Sequence, residues 1–306
     1  MVMALPAVTE GTFDFRGFPV WFRIVGEAAD PARPPILCLH GGPGAASDYL
    51  EPFGDLAATG RQVVFYDQLG CGNSGIEEAH DPAMWTVELF VEEVGALREA
   101  LGLERLHLLG QSWGGMLAMQ YALTQPAGLL SLIVESSPAS MTQWVSEANR
   151  LRSLLPADVE ETLRHHEESG STDDPAYENA MMVYYRRHLC RLDPWPDYVQ
   201  RTFDKLAANP EVYNVMNGPS EFHVIGTLRD WDITSRLGEI ALPTLVMSGR
   251  HDEATPAIAE TVHTGIKGSE WVLFEESSHM SHAEEREHCM EVVADFLDRV
   301  EAGAGR

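Results

Sequence analysis

Lysine is nearly missing from this chain. Of 21 basic residues among 306, only Lys205 and Lys267 are lysines, while Asp and Glu number 47, for a formal net charge of −26. A surface this acidic repels phosphate backbones and anionic lipid headgroups, so neither nucleic acid nor a membrane is an expected partner. Cysteine is scarce and scattered: Cys38, Cys71, Cys190 and Cys289 include no C-x-x-C pair. That argues against a disulfide framework and for reduced thiols in a cytoplasmic protein. No run approaches the roughly 18 uninterrupted apolar residues of a transmembrane helix. The first residues, MVMALPAVTEGTFDF, lack a basic start and a long apolar stretch, so no secretory signal is expected. His165 and His166, and His279 with His282 and His288, lack the spacing of a metal-ligand set. No metal or other cofactor is expected.

What is present is ordinary for a globular protein: 44% hydrophobic and 22% charged residues. The length lies near the size at which one core stops growing, which suggests one main domain with an insertion. Residues 11–28 suit a hairpin turning at Arg16-Gly17. Short apolar runs then recur at residues 36–39, 63–66, 106–109, 132–134, 243–248 and 271–274. Between them lie helical spacings: a helix expected from Ser47 as N-cap, one over 85–101 (Val87, Phe90, Val91, Val94, Leu97, Leu101), one following Ser112, and a last one over 283–300. Buried strands alternating with amphipathic helices predict an α/β fold, a mostly parallel sheet with helices on both faces. The strand signal disappears after about Ser140. Charged helical segments broken by Pro156, Gly170, Pro175, Pro194, Pro196 and Pro210 occupy residues 141–227, read as a helical cap inserted into a core of 1–140 and 228–306.

The strongest chemical signal is Gly110-Gln111-Ser112-Trp113-Gly114, a G-x-S-x-G directly after a strand and before a helix. So sharp a turn needs small flanking residues and lifts the Ser112 hydroxyl above the sheet edge. A serine hydroxyl is a weak nucleophile and needs a base held by a carboxylate. For this topology the chain order is Ser, then Asp or Glu, then His. Asp252 follows the strand at 243–248, and His279 follows the strand at 271–274, so both fall at strand C-terminal ends, where ligands bind in open α/β sheets. His251 competes but precedes the Asp. Acyl transfer also needs donors for the developing oxyanion. The glycine loop His40-Gly41-Gly42-Pro43-Gly44 offers the Gly42 N–H, and the Trp113 N–H is the other candidate; Pro43 has none.

Together residues 40–44, 67–74, 110–115, 248–253 and 277–279 resemble the proline iminopeptidase family of α/β-hydrolases. The resemblance covers residues 10–300 or so and implies an α/β-hydrolase fold with a helical cap over the catalytic groups. It implies a serine hydrolase that removes N-terminal amino acids from short peptides, or hydrolyses amino-acid amides, through a Ser-His-Asp acyl-enzyme. Partners are then peptides or amides with a free N-terminus. Members grip the substrate's α-amino group with carboxylates, and the matching positions here are Glu221 and Glu253, with Tyr213 a further candidate. Independently of the family, a buried ammonium is tolerable only when paired, and two carboxylates beside a serine triad suit a cation. The segment Gly-Gln-Ser-Trp-Gly-Gly-Met is closer to the branch of tricorn-interacting aminopeptidases and L-amino acid amidases, which leaves proline or broader side-chain preference open. Trp144, Tyr184, Tyr185 and Trp195 could shape the side-chain pocket or be cap core.

Other readings remain at this stage. An esterase or lactonase on the same scaffold would accept substrates without an amine. A non-catalytic receptor on a hydrolase fold would dispense with the complete triad. Epoxide hydrolase or dehalogenase chemistry would place Asp where Ser112 stands. Asp67 is expected to tie its own loop, Cys71 to fill a tight turn, and Glu284-Glu285 to favour a helix dipole. Oligomeric state is left open.

Overall fold

A computed structural model describes residues 7–27, 30, 32–76 and 80–304. Its centre is an eight-stranded sheet in the order β1-β2-β4-β3-β5-β6-β7-β8. The strands are β1 (Val8–Phe15), β2 (Phe18–Val25), β3 (Ile36–Leu39), β4 (Val63–Tyr66), β5 (Leu106–Gln111), β6 (Leu129–Glu135), β7 (Thr244–Gly249) and β8 (Glu270–Phe274). β1 and β2 form the expected hairpin, and Arg16 and Gly17 both take positive φ (57° and 87°) at its turn. Two left-handed residues in succession give the twist that a two-residue hairpin needs. Residue 28, at the end of the range read as this hairpin, lies outside the described residues. From β4 to β8 all pairings are parallel.

β3, β4 and β5 are buried at every position, as strands covered on both faces must be. Alternate side chains serve opposite faces. Leu37 and Leu39 join α1 (Val87–Ala100) and α2 (Trp113–Ala122), while Ile36 and Cys38 join the 3-10 segment Ser47–Thr59. The chain steps from β3 to β4 on one side and then to β5 on the other. The crevice at this reversal, above the strand C-termini, is where ligands bind in open α/β sheets.

Between β6 and β7 the chain forms α3 (Met141–Arg152), α4 (Ala157–Ser169), α5 (Pro175–His188), α6 (Asp197–Ala208) and α7 (Glu211–Met216). The breaks read from sequence stand at helix ends. Pro156, Pro196 and Pro210 precede α4, α6 and α7, Pro175 opens α5, and Gly170 closes α4 at φ 69°. Proline has no N–H to lose at a helix start, and glycine takes the left-handed closing position without strain. This excursion leaves and returns through one neck: Met141 N–H donates to the Trp231 carbonyl and Ile233 N–H to the Ala139 carbonyl, both at 2.9 Å. Its α6 grips the 47–59 segment through Lys205 on Asp48 at 2.6 Å and Arg201 on Glu51 at 2.6 Å. At its centre Arg152 is nearly buried, bound to Glu160 and Glu167 at 3.0 Å, with its guanidinium 4.8 Å from the Phe222 ring.

After β7 come α8 (Pro256–Gly265), α9 (Ser281–Glu284) and α10 (Arg286–Ala304). Two local expectations need correction. Ser47 is not an N-cap: the cap position is Ala46, because Asp67 Oδ1 takes both the Ser47 N–H and its hydroxyl at 2.7 Å. The last helix is not continuous from 283: it breaks at Glu285, whose carboxylate accepts the Glu276 N–H and the Ser277 hydroxyl. Neighbouring Glu284 accepts the Ser278 N–H at 2.7 Å and the Arg191 N–H at 2.7 Å. Rather than merely favouring a dipole, this acidic pair holds the loop that carries His279. No helix among the described residues is long and apolar enough to cross a membrane.

Beneath the 67–74 loop, Glu93 of α1 is fully buried and accepts the Leu69 N–H at 2.7 Å, while its other oxygen has no partner. Burial pushes this carboxyl up to about 8, against the pull of that hydrogen bond.

Candidate active site

Ser112 joins β5 to α2 at φ 57° and ψ −126°, a strained conformation for a side-chain-bearing residue. Its neighbours explain how the strain is held. A Cβ on Gly110 would lie 2.1 Å from the Gly114 carbonyl oxygen, and one on Gly114 would lie 2.0 Å from the Leu39 carbonyl oxygen. Only glycine permits this approach of helix to strand. Ser112 N–H donates to the Glu135 carbonyl at 2.9 Å, and the Ser137 hydroxyl donates to the Ser112 carbonyl at 2.7 Å.

His279 is buried, and its Nδ1 lies 2.7 Å from Asp252 Oδ1. Asp252 also accepts the Ala254 N–H at 2.7 Å on that oxygen, which fixes the carboxylate and, through it, the ring. A carboxylate on Nδ1 leaves Nε2 as the nitrogen facing away from it. Ser112, His279, Gly42 and Glu221 line one cavity of about 400 Å³, walled on its far side by Tyr49, Thr202, Phe203 and Leu206. A second compartment of about 260 Å³ shares Gly42, Ser112 and Glu221 but is lined by Trp113, Met116, Met141, Trp144 and Leu228 instead of His279. Thus Ser112 stands where two spaces meet. Trp144 belongs to the second space, turns an edge to the His279 ring, and donates its indole N–H to the Glu221 carbonyl at 2.6 Å. Trp195 does not reach either: it packs on Phe203 and donates to the Cys190 carbonyl.

In the glycine loop, Gly42 takes φ 112°, and a Cβ there would lie 2.6 Å from the Ala45 nitrogen. The Gly41 N–H is already engaged, donating to the Tyr49 hydroxyl at 2.7 Å. Tyr49 in turn donates to Gln111 Oε1 at 2.5 Å, and Gln111 Nε2 donates to the His279 carbonyl at 2.9 Å. Neither Tyr49 nor Gln111 stands out in the sequence as a site residue; their partners are far away in the chain. The Trp113 indole donates to Gln68 Oε1 at 2.8 Å, and Gln68 donates to the His40 carbonyl, which binds the Ser112 turn to the glycine loop.

The three candidate amine-binding residues converge. Tyr213 donates to Glu221 Oε1 at 2.8 Å. Glu253 is fully buried, neither of its oxygens has a hydrogen-bond partner, and Oε1 lies 3.8 Å from His279 Nε2. Burial raises the Glu221 carboxyl, against its hydrogen bond from Tyr213, and raises that of Glu253 well above its usual range, against the pull of His279 and with Glu221 and Asp252 adding to the rise. Around them Tyr184 and Tyr185 are buried, and the Tyr184 hydroxyl too lacks a partner. Among the described residues no arginine or lysine makes an ion pair with Glu221 or Glu253. A buried carboxylate that no arginine or lysine offsets, such as Glu253, is costly, and a cation between it and Glu221 would offset that cost.

Residues 34–286 match the family model described as the alpha/beta hydrolase fold. The proline iminopeptidase of Saccharolobus solfataricus is 41% identical over 266 residues, 87% of this chain and 85% of that protein. The crystal structure of the proline iminopeptidase of Mycobacterium smegmatis is 42% identical with a TM-score of 0.89, covering 97% of this chain and 100% of that one. The crystal structure of VinJ is 44% identical with a TM-score of 0.93, covering 96% and 99%. The chain therefore belongs to the proline iminopeptidase family of α/β hydrolases.

Proposed function

We propose that this protein is a serine aminopeptidase that releases the N-terminal residue of short peptides or amino-acid amides. The observation that carries the reading is the carboxylate pair beside His279: Glu253 is buried with neither oxygen hydrogen-bonded, Glu221 lines the same cavity as Ser112, and among the described residues no arginine or lysine makes an ion pair with either. A general esterase has no use for such a cost. A substrate ammonium placed between them fixes the first carbonyl over Ser112.

Ser112 Oγ attacks that carbonyl and passes its proton to His279 Nε2, while Asp252 holds the ring and stabilises the imidazolium. The tetrahedral oxyanion takes N–H donors from Gly42 and Trp113, each worth about 3–4 kcal/mol in the transition state. The imidazolium then protonates the leaving nitrogen, and water repeats the sequence on the acyl-enzyme. Because His279 lines only the larger compartment, the leaving group departs there. The smaller compartment, walled by Met116, Met141, Trp144 and Leu228, takes the side chain of the released residue and suits an apolar one. The helices at 141–227 act as a cap, and the Glu221 they carry stops the substrate at its first residue.

The test is a panel of aminoacyl arylamides, each free and N-acetylated. Acetylation removes the cation and adds bulk where the chain must end. kcat/KM should fall at least about a hundredfold, roughly 2.7 kcal/mol of transition-state binding. Equal rates on free and acetylated substrates would overturn the aminopeptidase reading in favour of an esterase.

A further inference from the structure

Asp252 and Glu253 are consecutive residues that address opposite nitrogens of the same imidazole. Asp252 Oδ1 holds Nδ1 at 2.7 Å, and Glu253 Oε1 lies 3.8 Å from Nε2, the nitrogen that must accept the Ser112 proton. Serine hydrolysis requires the first contact; the second works against it. A carboxylate beside Nε2 favours the imidazolium, which cannot act as a base.

The surroundings leave Glu253 few other choices. Facing His279 and Glu253 are Glu221 beyond α7, Tyr213 on α7, Tyr184, Tyr185 and His188 on α5, Trp144 on α3 and, behind Asp252, Glu284 on α9. None is a fixed cation. Arg150, close enough to feel Tyr184, is engaged by Glu147 at 2.8 Å, and the His188 Nδ1 is engaged by the His251 carbonyl. His279 is therefore the group among them that can answer the Glu253 charge.

We propose that the buried Glu253–His279 pair keeps a proton until substrate arrives, and that a substrate ammonium seated between Glu221 and Glu253 evicts it, turning the imidazole into a base only when a cation is bound. The inference rests on the aminopeptidase reading and deepens it: the amine is not only a handle for position but the switch for the chemistry. Neutral carbonyl compounds that reach Ser112 without a cation then meet an imidazolium and are spared.

Both partners of the pair are drawn toward protonation: burial raises the Glu253 carboxyl well above its usual range while the His279 charge pulls it back down, so the pair holds a proton, and the Nε2 contact at 3.8 Å with Asp252 on Nδ1 favours the ring as its place. Burial works against the charged ring, but Asp252, Glu253 and Glu221 together outweigh it and raise His279 to about 9. A fixed positive charge a few ångströms away cancels much of that rise and returns the ring toward its ordinary range. The evicted proton goes to solvent.

The experiment follows labelling of Ser112 by diisopropyl fluorophosphate, a small uncharged probe, between pH 5 and 10. In this reaction the serine oxygen bonds phosphorus, its proton goes to Nε2, and fluoride leaves. Labelling is measured with sodium chloride and with pyrrolidinium chloride at equal ionic strength. Without the organic cation, the labelling rate should rise with pH toward an apparent midpoint near 9. Pyrrolidinium should move that midpoint down by about one pH unit or more, so that labelling at pH 7 speeds up about tenfold. Glu253→Gln, which keeps the shape and removes the charge, should show the lower midpoint without any cation and lose most of the response. A cation that only slows labelling, with no shift in midpoint, overturns the inference while leaving the aminopeptidase reading intact. A Glu253→Gln midpoint equal to wild type also overturns it. If the variant fails to fold, the wild-type comparison decides alone. No labelling at any pH removes the proposed nucleophile, and the inference falls with it.

Discussion

Gln111 and His279 are joined by a hydrogen bond from the Gln111 side-chain nitrogen to the His279 carbonyl oxygen at 2.9 Å. The same amide accepts from Tyr49, whose hydroxyl accepts the Gly41 N–H. One glutamine thus ties three loops at the C-terminal sheet edge: the nucleophile turn, the glycine loop and the histidine loop. Its effect is geometric. It sets the distance between Ser112, the glycine loop and His279, the groups proposed to carry the reaction.

Gln111→Leu is expected to strand the Tyr49 hydroxyl and the His279 carbonyl, each at a cost of about 1–3 kcal/mol. Because misplacement of about 1 Å can cost a hundredfold in rate, kcat should fall by one to two powers of ten while KM changes little. Steady-state kinetics beside a thermal melt separates this from simple unfolding: a folded variant with normal kcat refutes the positioning role.

Ser112→Ala and His279→Ala are each expected to lower kcat by about 10⁶, and the double variant by little more, since the two act as one unit. Measured losses that multiply would show that they do not share a step.

Glu93 gives the fold a pH dependence whose sign follows from its raised carboxyl. Folded protein binds this proton up to about pH 8, whereas the unfolded chain releases it near 4.5. The folded state therefore holds more protons between these values, and its stability falls as pH rises through that window. Glu93→Gln keeps an acceptor for the Leu69 N–H and removes the titration. Melting temperatures of wild type and variant should be close at pH 4.5 and separate by several degrees at pH 8, with the variant higher. Parallel curves across the window would refute this.

Arg152→Ala is expected to leave Glu160 and Glu167 facing each other and Phe222 without its guanidinium. A cost of about 2 kcal/mol is expected, less than for a fully buried pair because Glu160 is partly solvated. As Phe222 adjoins Glu221, the kinetic effect should appear in KM for free-amine substrates more than in kcat. An unchanged KM would separate this network from the site.

The sheet was legible because its parallel strands are continuous apolar runs that end abruptly in glycine-rich loops. The helices between β6 and β7 were legible because their proline and glycine breaks stand at helix ends. Ser47 misled for a tertiary reason: Asp67, distant in sequence, takes the hydroxyl that a local reading assigns to capping. The break at Glu285 was hidden likewise, since a carboxylate that braces the 276–278 backbone looks from sequence like any glutamate at a helix start. In the site, the order Ser112, Asp252, His279 could be read from loops after strands. What no local pattern reveals is burial. In a chain with 47 acidic residues, Glu253 is set apart by burial with neither oxygen hydrogen-bonded, and Glu221 by the Tyr213 hydroxyl and its place on the cavity beside Ser112, and only the folded chain supplies either.

β6 and β7 are adjacent in the sheet, and the helices between them leave and return at one neck, where Ser140 pairs with Asp232. A stretch anchored this way can be exchanged as a cassette without altering strand order. Ser112, Asp252, His279 and Glu253 would stay with the scaffold, while Glu221, Tyr213 and Trp144 would travel with the insert. A chimera carrying a relative's 140–232 equivalent should therefore keep its reactivity toward fluorophosphates but inherit the donor's choice of amine. Diversification of such enzymes then needs no change to the strand ends that carry the chemistry.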